Sequence, residues 1–270
     1  MRIGLVIEYE GTEFSGSQLQ ARGRTVQGEL ERALEALFQT FIRAKMASRT
    51  DAGVHARWQV AAFDFETRLA MTTIRDALNH YLPEDVGVRH GAQVDDSFDP
   101  RRHAICREYV YTVNDDEVPS PIDRRFEAHV RGPLDVAAMA DAARKLEGTR
   151  DFVAFCGGAL PPGSSTIRRM DRATVCREVN DDGPSGRGIG GRRVRLTFRA
   201  NAFLNQQVRR MSGALLQIGS GAMPVERFEK LLKMPVRGDA SVVAPPHGLC
   251  LTGIEYRDGS PWGLPVLTEA

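Results

Sequence analysis

The chain has 270 residues, of which 42% are hydrophobic and 26% charged, a composition that excludes disorder, collagen and extended coiled coil and describes a folded globular protein. Its formal net charge is +1, so no whole-protein field selects a polyanionic or polycationic partner. The four cysteines, Cys106, Cys156, Cys176 and Cys250, show no CxxC or Cys/His spacing, and are expected to be free thiols of a cytoplasmic protein that binds no metal. The opening MRIGLVIEYEG lacks the apolar block of a secretory leader, and no run approaches about 18 apolar residues, so neither export nor membrane spanning is expected.

Residues 2 to 9 read as a strand. TVQGELERALEALFQTF then places Val26, Leu30, Ala33, Leu34, Leu37 and Phe41 at helical spacing, with Thr25 as N-cap. KMASRTDAG follows, then a stretch from 54 to 65 in which Val54, Ala56, Trp58, Val60 and Ala62 are apolar while His55, Arg57 and Gln59 are polar, the pattern of a half-buried strand with His55 on its solvated face. A helix over MTTIRDALNHYLP, ended by Pro83, and the strand VGVRHGAQV complete the order βαββαβ.

The order restarts near Arg107. REYVYTVND reads as a strand, and LDVAAMADAARKLEG as a helix with Val136, Met139, Ala143 and Leu146 facing a core and Gly148 able to terminate it. Strands near RATVCREV and RRVRLTFRA follow, then a helix from about 205 to 219 with Leu204, Val208, Met211, Leu215 and Ile218 on one side, and a last strand, GLCLTGIEY. The repeated order implies two α+β units, each of the ferredoxin-like type. Two loops interrupt the second half. GGALPPGSSTIRR reads as a flexible connection, and GPSGRGIGGRR contains Gly186, Gly188 and Gly191 in a formal GxGxxG match, but a strand follows where a dinucleotide fingerprint needs a helix. A hairpin tip whose arginines touch a phosphate backbone is the expectation there.

Arginine falls in pairs, at Arg101 and Arg102, Arg168 and Arg169, Arg192 and Arg193, and Arg209 and Arg210, suited equally to phosphate contacts and to a solvated face. Arg209 and Arg210 lie off the apolar stripe of their helix, free to face a cleft.

The most concentrated polar chemistry is ASRTDAGVHARWQV, residues 47 to 60. Asp51, Ala52 and Gly53 have the chemistry of a tight turn, since Asp bonds its own following backbone and Gly accepts a positive φ. If residues 49 to 51 are extended, Arg49 and Asp51 point to one side, where a guanidinium can hold a carboxylate ionised and aimed. Such a carboxylate can act as a nucleophile, and it can equally cap a turn. The residues leave both readings open.

SRTDAGVHARWQVAAFDF closely resembles the signature of the tRNA pseudouridine synthase A family. IGLVIEYEGTEFSGSQ, REYVYTV, GTRDFVAFC, NAFLNQQVRRMSGALLQIGSG and GLCLTGIEY resemble further segments of that family along nearly the whole chain. The resemblance implies an α+β fold in which two ferredoxin-like (RRM-like) units with antiparallel sheets join in one central sheet, helices on one side and a cleft on the other. It implies an N-terminal α+β domain over 1–104 carrying the catalytic aspartate and a C-terminal one over 105–270 with RNA-binding and dimerisation surfaces. It implies isomerisation of uridine to pseudouridine in the tRNA anticodon stem-loop, at positions 38–40 of the tRNA, by a cytoplasmic homodimer needing no cofactor. By the same match Asp51 is the catalytic carboxylate with Arg49 its ion partner, Tyr109 contacts the target base, Arg209 sits beside the aspartate, and Leu249 packs under the uracil. Ser48 stands where the family usually has Gly, Ser17 where it commonly has Trp, and Asn205, Gln206 and Gln207 where basic residues are frequent. The competing reading is a non-catalytic RNA-binding protein made of paired RRM-like units.

Overall fold

The computed structural model describes residues 1–160, 163–178, 193–257, 259 and 262. The chain divides into two compact units, one of Met1–Arg107 with Cys250–Ala270, the other of Glu108–Leu249. The sequence reading cut the chain once, between 104 and 105. The structure instead returns the last strand to the first unit, because that strand hydrogen-bonds beside the one that follows the SRTDAG turn.

The first unit contains β1 (Arg2–Tyr9), α1 (Val26–Phe38), β2 (Lys45–Met46), β3 (His55–Asp64), α2 (Met71–Tyr81), β4 (Val86–Val94), the opening of β5 (Ala104–Asn114) and most of β10 (Leu249–Tyr256). β1 is central, antiparallel to β3 on one side, with Val6 opposite Val60, and to β4 on the other. With β2 antiparallel on β3, the order 4-1-3-2 is that of a ferredoxin-like βαββαβ unit. β3 shares its second edge between β2, at Ala61 and Ala62, and β10, at His55 and Ala56. The β10 pairing is parallel, so the sheet is mixed where an antiparallel one was expected.

The side chain of Thr25 caps α1 by accepting the Gly28 N–H at 3.2 Å, and Val26, Leu30, Ala33 and Leu34 form its buried stripe. Burial of Val26, Leu30 and Leu34 contributes about 1.5–3 kcal/mol each. The helix stops at Gln39, whose φ of 55° is left-handed, so Phe41 lies beyond the stripe it was expected to continue and is 57% exposed. Glu31, on the buried face of α1, accepts from the Gln27 side chain and the Ala44 N–H and pairs with Arg43, which ties the helix to the segment leading into β2.

The second unit contains the rest of β5, then β6 (Ala128–His129), α3 (Val136–Arg144), β7 (Gly148–Asp151), β8 (Ile167–Arg177), β9 (Arg193–Ala200), α4 (Gln207–Gly219) and α5 (Val225–Lys233). Its strand order is β5-β9-β8-β7, antiparallel from β9 to β7, with β6 parallel to β5. α3 packs on β8 and α4, and a Cβ at Gly219 would stand 2.4 Å from Met139 Sδ, so a larger residue there would have to displace that side chain. Asp115, buried, accepts both Arg177 terminal nitrogens, at 2.7 and 2.8 Å, and the Leu134 N–H at 2.8 Å. α5 has no counterpart in the sequence reading; Phe228 and Leu231 anchor it, Phe228 against Phe155. The Gly-rich hairpin expected over 183–193 lies outside the described residues except for Arg193, which pairs with Asp123 and Glu127. Among the described residues no helix is long and apolar enough to cross a membrane, and no disulfide joins the four cysteines.

Candidate active site

The turn between β2 and β3 is held by the loop that leaves β1. Val54 N–H bonds back to Asp51 C=O at 3.2 Å and Gly53 has a φ of 77°, so the Asp-Ala-Gly segment is the tight turn its residues imply. Around it the two segments meet point by point. Gly53 N–H donates to Phe14 C=O at 3.2 Å, Ser17 N–H donates to Thr50 C=O at 3.1 Å, and a Cβ on Gly11 would stand 2.0 Å from the Val54 oxygen. At Gly16, φ is 114° and a Cβ would fall 2.8 Å from the Thr50 oxygen, so conformation and space both demand glycine. The loop is itself braced: Arg24 lies over the Phe14 ring at 4.3 Å and pairs with Asp85 and Glu29.

Thr50 is buried, Arg49 before it is exposed, and Asp51 after it is half-buried. This is the alternation of extended backbone, and it puts both charged residues on the side away from Thr50. Burial and the like charge of Arg101 lower the pKa of the Arg49 guanidinium from its usual value. Arg101 belongs to a built loop: Asp99 accepts the backbone N–H groups of Arg101 and Arg102, each at 3.0 Å, and Arg107 donates to Arg101 C=O. Despite the opposing effect of burial, those N–H donors and the charges of Lys45 and Arg102 hold the Asp99 carboxyl below the usual carboxylate range.

His55, expected on a solvated face, is buried, and its Nδ1 accepts the Gly11 N–H at 2.9 Å, because the loop after β1 folds over that end of β3. Gln59 was also read as a solvated polar position. It is fully buried: its Oε1 accepts from Ser48 N–H at 3.1 Å, and its Nε2 donates to Ser48 C=O at 2.8 Å and to the Tyr9 hydroxyl at 3.4 Å. Sequence reasoning missed Tyr9, Ser17, Thr50 and Gln59 as parts of this turn; a glutamine between apolar strand positions was the available signal.

Three further expected site residues lie in the second unit. Tyr109, on β5, is 5% exposed and meets Phe203 edge to face at 5.3 Å. Arg209, on α4, is half-buried and its Nε donates to Ala244 C=O at 2.8 Å, so it is anchored to backbone where the sequence suggested a free side chain. Arg210 is anchored likewise, to Ala240 C=O at 2.7 Å. Leu249 opens β10 and is buried. The Arg209 charge also reaches Tyr111, whose buried hydroxyl has no hydrogen-bond partner among the described residues; burial pushes that phenol well above its ordinary range against the pull of Arg209. Gln207, one of the departures from the family's usual residues, is buried and accepts the Leu204 N–H at 2.8 Å, making the start of α4 from its own side chain.

A model of the tRNA pseudouridine synthase family matches residues 5–101 and 142–257. The chain belongs to that family. Relatives of this synthase include tRNA pseudouridine synthase A of Roseiflexus castenholzii, 42% identical over 260 residues that make up 96% of this chain and 92% of that one. The Geobacter sulfurreducens enzyme of the same name is 37% identical over 254 residues, 94% of this chain and 99% of that one. The Shewanella amazonensis enzyme is 38% identical over 269 residues, 99% of this chain and 97% of that one. The matched segments contain Arg49, Asp51, Arg209 and Leu249, while Tyr109 falls in the interval between them. The sequence resemblance and the family match agree.

Proposed function

We propose that this synthase isomerises uridine to pseudouridine in the anticodon stem-loop of tRNA, at positions 38–40 of the tRNA, with Asp51 as its catalytic carboxylate. The observation that carries the reading is the turn itself: a half-buried aspartate follows a buried threonine, on a tip held by hydrogen bonds to Phe14 C=O and to the N–H and hydroxyl of Ser17. Catalytic carboxylates need such fixed aim, and a solvated capping aspartate does not.

In the reaction the C1′–N1 bond breaks, the uracil turns, C1′ bonds to C5, and the C5 proton leaves as N1 gains one. Substrate and product are isomers, so no redox equivalent is consumed. A carboxylate can open the reaction by adding to uracil C6, by attacking C1′, or by taking the 2′ proton. A stacked base must first leave the helix, at a cost of a few kcal/mol that contacts to the flipped base and the backbone offset. Tyr109 and Leu249 are assigned to the base and Arg209 to the neighbourhood of the carboxylate, as the family resemblance implies. Arg49 is assigned to Asp51 as its ion partner, as the family resemblance implies, while Arg101 and Arg102 in the same unit supply charge for phosphates. The reading includes a cytoplasmic homodimer acting on tRNA.

The test is release of tritium from tRNA labelled at uridine C5. The wild-type chain releases label, and Asp51→Ala releases none while retaining tRNA affinity within about threefold, because the phosphate-binding charges remain. Absence of release by the wild type would leave a non-catalytic RNA-binding protein, and undiminished release by Asp51→Ala would remove the carboxylate from the mechanism.

A further inference from the structure

Beneath the turn lies a set of buried polar groups that the reaction chemistry does not use. We infer that Ser17 is a positioning residue for Asp51, acting through Thr50; the inference rests on the proposed role of Asp51. Ser17 is fully buried, and its hydroxyl accepts the Thr50 N–H at 2.9 Å while its own N–H donates to Thr50 C=O at 3.1 Å. One residue thus engages both backbone groups of the residue preceding the carboxylate. The third polar group of Thr50, its Oγ1, lies 2.8 Å from the Tyr9 hydroxyl.

Ser17 is fixed in turn. Its C=O accepts the Gln27 N–H at 3.0 Å in the first turn of α1, and its hydroxyl donates toward Ser48 C=O at 3.4 Å. Ser48 is held at both backbone groups by Gln59 from β3. From Ser48 to Thr50 the backbone is therefore clamped on its buried side by Ser17 and Gln59, and the flanking side chains Arg49 and Asp51 project from the other side. The direction in which Asp51 leaves the chain is set by the Thr50 peptide groups, and their geometry is set by Ser17. The two departures from the family's usual residues noted at 17 and 48 meet here, in one hydrogen bond.

Deleting the Ser17 hydroxyl leaves the buried Thr50 N–H without its acceptor and keeps the rest of the clamp. A small shift in aim slows the chemical step and does not touch the charges that hold RNA. The experiment compares Ser17→Ala, Ser17→Thr, Tyr9→Phe and Asp51→Ala with the wild type, in single-turnover tritium release at saturating enzyme, together with tRNA affinity and melting temperature. The expected result for Ser17→Ala is a rate about tenfold lower at unchanged tRNA affinity, with Ser17→Thr, which retains the hydroxyl, recovering most of the rate. If Ser17→Ala does not fold, Tyr9→Phe, which removes one oxygen from the same threonine's shell, is expected to lower the rate with affinity unchanged. A wild-type rate in the folded Ser17→Ala or Tyr9→Phe protein, or a loss confined to affinity, overturns the inference. Turnover by Asp51→Ala overturns the proposed function itself, whereas an inactive Asp51→Ala beside a fully active Ser17→Ala overturns only the positioning role.

Discussion

Replacing Gly11 by alanine gives the sharpest test of the reasoning about the turn. The new Cβ would stand 2.0 Å from the carbonyl oxygen of Val54 and 2.4 Å from its carbon, distances that no real Cβ occupies, so loop and turn must separate by about 1 Å to reach even 3.0 Å. Neither side has slack, because Gly11 N–H is bonded to His55 Nδ1 and Val54 N–H to Asp51 C=O. The displacement therefore passes to the turn carrying Asp51. A misplacement of about 1 Å at a reacting group costs on the order of 100-fold in rate. Single-turnover tritium release by Gly11→Ala is accordingly expected to fall about 100-fold, with tRNA affinity changed far less. Gly148→Ala is the control: its φ of 93° strains alanine, but nothing lies within 4 Å of the added carbon. That variant is expected to lose about 1–3 kcal/mol of stability and to retain its turnover rate. Wild-type turnover in Gly11→Ala, or an equal loss of rate in Gly148→Ala, would refute the argument from close approach.

Two further expectations concern titration. Burial lowers the pKa of His247, so the folded state binds its proton less readily than the unfolded chain, and stability should fall as pH drops through the usual histidine range. Urea unfolding midpoints at pH 7.5 and 5.5 should differ more for the wild type than for His247→Gln; equal differences would contradict the assignment. Burial pushes the Cys250 thiol up to about 11, and Cys250 is half-buried whereas Cys176 is exposed, so at pH 8 a thiol reagent should label Cys176 much faster than Cys250 in the native protein. Mass mapping of the label distinguishes the two, and native labelling of Cys250 as fast as that of Cys176 would count against its raised pKa.

The elements that were legible in the sequence are those whose apolar spacing coincides with burial. Leu30 and Leu34 of α1, Met139 and Ala143 of α3, and Met211 and Leu215 of α4 are all core, and the βαββαβ order follows from them. The misreadings arose where polar side chains are buried for a specific bond. His55 and Gln59 count as solvated in any hydropathy pattern, yet each takes a backbone group from the loop or turn above it. Phe41 was misplaced because Gln39 ends the helix in a conformation that most residues avoid. Arg209 and Arg210 were read as free because helical spacing shows which face they occupy and says nothing about the carbonyls of Ala244 and Ala240, 35 and 30 residues away. Asp51 could be singled out from turn chemistry and family resemblance, and Gln59 left a signal as a glutamine between apolar strand positions, but Ser17 could not be found, since it approaches from 34 residues before Asp51.

The parallel pairing of β10 with the start of β3 has a consequence for how the protein is made. His55 and Ala56 lie directly behind the turn that carries Asp51, and their partners on that edge are Cys250 and Leu251. On the ribosome about 200 residues must be added after β3 before that strand arrives, an interval on the order of 10–40 s at ordinary elongation rates. Throughout it the nascent chain presents an unpaired strand edge beside the turn that carries Asp51, open to pairing with other chains. Truncation before Cys250 should therefore yield a chain that aggregates through β3, which light scattering of the truncated and full-length chains would show.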